Sequence, residues 1–232
     1  MNKWKLSCRF DLLVLGVFAI ALLTGLVLFY MDLPAFTAYI DEDGIVEWAT
    51  VIGLLACAFI SIKRFFLLRK QKKKLFLTFL LLTALVFVFG AGEEISWGQR
   101  LFNLQSSKFF VEHNTQQEIN FHNLVFGGLK LNKLIFSLLL SVCVCFFLFV
   151  LPILYRKSKK IKNFAASLAI PVPRNYQIFA YVILFIVIGI IDDSRKWELV
   201  EMGGALLFWT IFQNPLNRED FINREEYKEN QC

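Results

Sequence analysis

The sequence predicts an all-α polytopic membrane protein with six transmembrane helices, both termini cytoplasmic, and a short interfacial helix in an outer loop at 96–132. Three observations carry this expectation. Of 232 residues, 57% are hydrophobic and only 19% charged, whereas a soluble domain is about 45–50% apolar and about 25% charged. The apolar residues gather into six segments at or near the ~20 residues that a helix needs to cross hydrocarbon. Basic residues recur in alternate loops. The net charge of +6 is therefore divided among loops between apolar spans, and no nucleic-acid partner is expected. Twenty-six phenylalanines leave too little polar side chain to cover a water-facing surface, which excludes soluble enzymes and disordered regulators.

The segments form one integral membrane domain over 1–232, with spans at about 12–30, 45–62, 75–95, 133–155, 176–192 and 198–213. In lipid each must be helical, because every backbone N–H and C=O needs an internal partner. The fifth and sixth reach crossing length only if their polar ends enter the headgroup layer. The first has a longer apolar stretch than a signal peptide, and Pro34-Ala35-Phe36-Thr37-Ala38 is a poor cleavage site, so it reads as a retained span. Lys3, Lys5 and Arg9 precede span one. The loop after span two carries Lys63, Arg64, Arg69, Lys70 and Lys72–Lys74. The loop after span four carries Arg156, Lys157, Lys159, Lys160, Lys162 and Arg174. With Arg218, Arg224 and Lys228 in the tail, nineteen of the twenty-five basic residues share one side. The positive-inside rule makes that side cytoplasmic and the membrane an inner (plasma) membrane. None of the five cysteines falls in an outer loop, so no disulfide is expected. Cys143 and Cys145 read as core-filling thiols.

Acids follow the opposite pattern. Thirteen of nineteen lie outside or at outer helix ends, although acids contribute little to topology. Asp41, Glu42, Asp43 and Glu198 have an ordinary explanation, as carboxylates near helix N-termini. Asp192 and Asp193 fit a solvated hairpin. Glu47, Glu93, Glu94 and Glu201 are harder to explain, because a carboxylate at membrane depth must be paired, hydrated or metal-bound. They come from three spans and one layer, and the structural alternative is an ion-pair network with Arg100, Arg195 and Lys196.

The outer loop adds the remaining chemistry. Thr115-Gln116-Gln117-Glu118 matches a capping box and Gly127-Gly128 a stop, so a helix over 116–126 is expected. That helix would stack Glu118 on His122. His113, the only other histidine, lies in the same loop. Two histidines with several carboxylates suit zinc, manganese or iron, which makes His113, Glu118, His122, Glu201 and Glu47 candidate metal ligands. Glu93, Glu94 and Arg100 are candidate catalytic residues: a glutamate to take a proton from a metal-bound water, and a guanidinium to hold a phosphate or carboxylate.

The stretch Gly92-Glu93-Glu94-Ile95-Ser96-Trp97-Gly98-Gln99-Arg100, followed by Glu112-His113-Asn114, Gln116, Glu118, Asn120 and His122-Asn123, resembles a pattern of uncharacterised bacterial polytopic membrane proteins. The resemblance covers about 30 residues and implies a grouping without an activity. Glu42-Asp43-Gly44-Ile45-Val46-Glu47-Trp48-Ala49-Thr50 faintly resembles the acidic stretch of the alkaline ceramidase superfamily of membrane hydrolases. That family holds zinc with three histidines, including a late His-x-x-x-His pair. This chain has two histidines, both central, and offers Glu198 and Glu201 in its last span, so no residue roles carry over.

Three functions fit these residues. One is a metal-assisted hydrolase or transferase acting on a lipid or lipid-linked substrate, which Phe109, Phe110 and Phe121 would admit laterally from the membrane lipids. Another is a transporter or proton/cation-coupled protein using Glu47, Glu94 and Glu201. The third is a non-catalytic accessory or assembly subunit whose acidic outer face docks a partner.

Overall fold

The computed structural model describes residues 3–126, 129–130 and 138–222, with side chains from Arg9 to Val125 and from 138 to 222. All six expected spans coincide with helices. α1 runs Lys3–Met31, α3 Ile45–Leu68 and α4 Lys74–Glu94, with the short α2, Leu33–Tyr39, between the first two. The fourth is described from Leu140, as α7 Leu140–Cys145, a five-residue π-helical stretch Phe146–Val150, and α8 Leu151–Lys157. α10 is Asn175–Ile190 and α11 is Trp197–Gln213. Among the described residues, four helices are long and apolar enough to cross a membrane: Arg9–Met31, Ile45–Leu68, Lys74–Glu94 and Leu140–Lys157. α10 is a shorter apolar helix.

The helices are apolar on their outer surfaces as well as between one another. Leu12, Leu13 and Ile20 of α1, Phe59 and Phe66 of α3, and Leu85 and Val86 of α4 are all exposed. A surface of that kind suits lipid, not water, and fits a membrane protein. Cys143 and Cys145 belong to it: both are exposed, not core-filling.

The core lies where α1, α10 and α11 meet. Phe18, Leu22, Leu184, Ile188, Leu199, Met202 and Leu206 pack there, and Phe36 of α2 closes one end. α2 owes its start to Asp32, whose carboxylate accepts from Ala35 N at 3.0 Å, and to Pro34 in its first turn. α11 also packs on α3, and Gly53 lets the two backbones touch. A Cβ at that position would lie 2.9 Å from the Ala205 carbonyl carbon and 3.0 Å from its Cβ.

At the end of the bundle away from the outer loop, Asp11 ties three helices together. Its Oδ2 accepts from Tyr176 Oη and from Asn214 Nδ2. Asn217, just beyond α11, accepts from Val172 N at 2.8 Å and donates to Ile170 O at 3.0 Å. These contacts join the loop before α10 to the chain leaving α11.

The outer loop departs from expectation. It does contain short helices, α5 at Gln99–Phe102 and α6 at Lys108–His113, but 116–126 is not helical. Asn114, not Thr115, organises that segment: its Oδ1 accepts from Gln116 N at 2.9 Å and Glu118 N at 3.3 Å. Thr115 N donates across the loop to Asn123 O. Gln117 has φ of 59°, which ends any helix there. The Glu118 side chain does not reach back to cap. Val125–Phe126 and Leu129–Lys130 instead form a two-residue antiparallel ladder, and Gly127-Gly128, the expected stop, lies outside the described residues.

Candidate functional site

The end of α4 turns sharply into the outer loop. Ser96, Trp97 and Gly98 have positive φ (45°, 54° and 78°), a conformation that costs a non-glycine residue roughly 1–3 kcal/mol. The surrounding bonds hold it in place. Trp97 folds back on Gly92, where a Cβ would meet the indole at 2.9 Å, and its Nε1 donates to Glu93 Oε1 at 2.8 Å.

Glu93 is buried and saturated. Its second oxygen accepts from the backbone N–H of Phe121 at 2.7 Å and of His122 at 3.0 Å, with His122 Nδ1 3.6 Å away. It therefore clasps the far arm of the loop. A buried carboxylate holding three N–H donors acts as a structural acceptor.

Arg100 forms a second clasp. Nε donates to Asp43 at 2.8 Å, Nη2 to Glu47 at 2.7 Å and Nη1 to Glu118 at 2.6 Å, while Glu42 lies 3.5 Å away. Burial alone would lower the pKa of this guanidinium, but hydrogen bonds to Glu118 and Asp43 and the charges of Glu47 and Glu118 hold it well above the ordinary value. Glu47 also accepts from Asp43 N at 2.6 Å, and Glu118 from Ser96 Oγ and Asn120 Nδ2. Gln99 holds Ile119 N and Ser106. Four carboxylates around one guanidinium repel an anion, so this geometry does not suit Arg100 to the phosphate clamp expected of it.

The expected metal ligands separate. Glu47 and Glu118 both turn to Arg100. Glu118 does not stack on His122, because the helix that would align them is absent. His122 turns instead to Glu93. His113 lies on the Phe109 ring, centroids 5.0 Å apart, with Nδ1 3.0 Å from Phe109 O. Among the described residues, no three His, Cys, Asp or Glu side chains come together as they would around an ion.

Glu94 differs from its neighbour. One residue along a helix is about 100° of rotation, so Glu94 faces α11 while Glu93 faces the loop. Its carboxyl is within electrostatic reach of Glu198, and that of Glu201 within reach of both Glu94 and Glu198. Glu47 and His122 flank the group. Among the described residues, none of the three acids takes part in a hydrogen bond or ion pair. Glu201 is exposed to solvent-sized contact although other protein atoms crowd it at longer range.

Sequence reasoning named Glu94 and Glu201 but explained Glu198 away as a helix-end charge. It explained Asp43 away in the same manner, and gave Ser96, Trp97, Asn114 and Asn120 no role. The spacing Glu93 to Trp97, one helical turn, was a usable signal for the first clasp. Comparison with family models, curated proteins and solved structures gives no match.

Proposed function

We propose that this chain is a six-span inner-membrane protein, with both termini on the basic cytoplasmic side, that couples to protons through Glu94, Glu198 and Glu201 at its outer end. The observation that carries the reading is the difference among the acids. Asp43, Glu47, Glu93 and Glu118 are fully engaged by Arg100, by the indole or by backbone N–H groups. The trio next to them makes no such direct contact among the described residues, and only His122 and Arg195 offset its charge at longer range. Neighbouring carboxyls in a partly desolvated layer hold protons more tightly than isolated ones, and their loading and release is the chemistry of a proton-coupled membrane protein. The two clasps hold the outer loop over this layer.

The test is reconstitution in liposomes containing a pH-sensitive dye, with an imposed proton gradient or membrane potential. Proton flux is expected, and it is lost in Glu94→Gln and Glu201→Gln. Absence of flux in the unaltered protein under both conditions overturns the reading.

A second reading, a hydrolase or transferase acting on a lipid or lipid-linked substrate, is favoured by the apolar surface beside the trio. Trp97, Leu101, Phe102, Leu104, Phe109 and Phe121 are exposed there and would receive an acyl chain. In that case Glu94, not Glu93, is the candidate base. Release of headgroup from supplied phospholipid, dependent on Glu94, would distinguish it.

A further inference from the structure

At the opposite end of the molecule, a groove of about 100 Å³ opens between the first turn of α4 and the end of α9, the helix Lys159–Ser167. Lys72, Lys73, Leu75, Phe76, Ala166 and Ser167 line it. We propose that this groove binds the headgroup of an anionic phospholipid, with the phosphate between Lys72 and Lys73 and the acyl chains running down α4 past Leu75.

The location fits a headgroup. α4 is a membrane-crossing helix beginning at Lys74, and α9 follows the crossing helix that ends at Lys157. Both walls of the groove therefore stand where a bilayer changes from hydrocarbon to phosphate. The lining divides in the same way. Two lysines line the groove beside apolar side chains, and Leu75, in the first turn of the crossing helix, is 52% exposed. Lys72 is pre-positioned, its Nζ 4.9 Å from the centroid of Phe76, whose ring is buried.

α9 is built for the same boundary. Ser158 caps it, accepting from Ile161 N, and so breaks the chain out of α8. Ile161, Ala165 and Leu168 turn toward the protein, while Lys159, Lys160 and Lys162 are exposed. Phe164 is 52% exposed among those lysines. A short helix with a basic face and an outward aromatic lies in the plane of the interface. Among the described residues no carboxylate comes within ion-pair distance of these five lysines. Among the described residues, Asp220 reaches Lys72 electrostatically and is itself held by Asn217. Positive charge thus exceeds negative at the groove, and a membrane anion is the complementary partner.

The experiment measures thermal unfolding of the full chain in neutral detergent micelles doped with phosphatidylglycerol, phosphatidylcholine or inorganic phosphate. Phosphatidylglycerol is expected to raise the midpoint, while phosphatidylcholine and phosphate at the same concentration leave it unchanged. The rise should vanish in Lys72→Ala/Lys73→Ala and return in Lys72→Arg/Lys73→Arg, the pair that controls for misfolding. Lys70→Ala/Lys157→Ala, basic positions that do not line the groove, should keep it. A rise that survives Lys72→Ala/Lys73→Ala, or that is lost equally in the control pair, overturns the proposal in favour of diffuse attraction. An equal rise with inorganic phosphate overturns the lipid as the source. A rise with a soluble polyglutamate peptide but none with phosphatidylglycerol overturns it in favour of an acidic protein partner.

Discussion

Glu93 and Glu94 are adjacent and chemically identical, yet they should respond oppositely to the same substitution. Glu93→Gln places an amide N–H against the donors of Phe121 and His122 and should destabilise the protein by about 1–3 kcal/mol, the cost of an unsatisfied buried donor. Glu94→Gln removes a repelling charge from the trio and should leave stability unchanged or raised, while abolishing ion coupling. Chemical denaturation in detergent, read beside flux, checks both signs. Arg100→Gln strands Glu47, whose side chain is 7% exposed, and should cost about 3 kcal/mol, near the lower end for a broken buried pair because Arg100 itself keeps some solvent contact. Much of this was hidden from the sequence. Composition marks a glutamate at membrane depth as unusual, but whether it is clasped or unclasped depends on rotation about the helix and on which loop atoms come to meet it.

The regular elements were legible because their cause is local. Apolar runs of crossing length become helices, and all six expected spans did so to within a few residues, except that α1 and α3 extend further and the start of the fourth lies outside the described residues. The outer loop was legible in kind and misplaced in position. A capping-box pattern at Thr115 and Glu118 competes with what Asn114 offers the backbone and with the pull of Arg100 on Glu118, and both competitors come from tertiary structure. α2 was missed although Asp32 and Pro34 announce it, because seven residues carry little periodicity. At this scale the closest test is the seam between α3 and α11. Gly53→Val should drive a side chain into the Ala205 backbone and cost about 1–3 kcal/mol, as overpacking does. Gly189→Ala, where a Cβ meets nothing within 4 Å, is the matched control and should be neutral or mildly stabilising.

For the whole molecule, the proposed orientation is the quantity on which the rest turns, since both the acid trio and the lysine groove change sides with it. In a background without the five native cysteines, Gln105→Cys should react with an impermeant thiol reagent applied outside intact cells, and Lys73→Cys should not. The reversed pattern would put the basic end outside and remove the argument for a cytoplasmic anionic lipid. The two polar ends differ in construction. One is held by charged clasps between side chains, the other by amide, hydroxyl and guanidinium bonds around Asp11, Asn214 and Arg174, with lysines at its rim.

The Arg100 clasp also bears on how the chain is made. Its partners Asp43 and Glu47 precede it by 57 and 53 residues, and Glu118 follows it by 18. A ribosome therefore releases these two carboxylates, and Glu42 with them, long before the guanidinium, and Glu118 after it. Until residue 118 has been made, the hairpin of α3 and α4 holds an incomplete charge set, and the turn at Ser96–Gly98 is braced only by Trp97 against Gly92 and Glu93. Closure of the knot thus waits on synthesis of the first half of the protein.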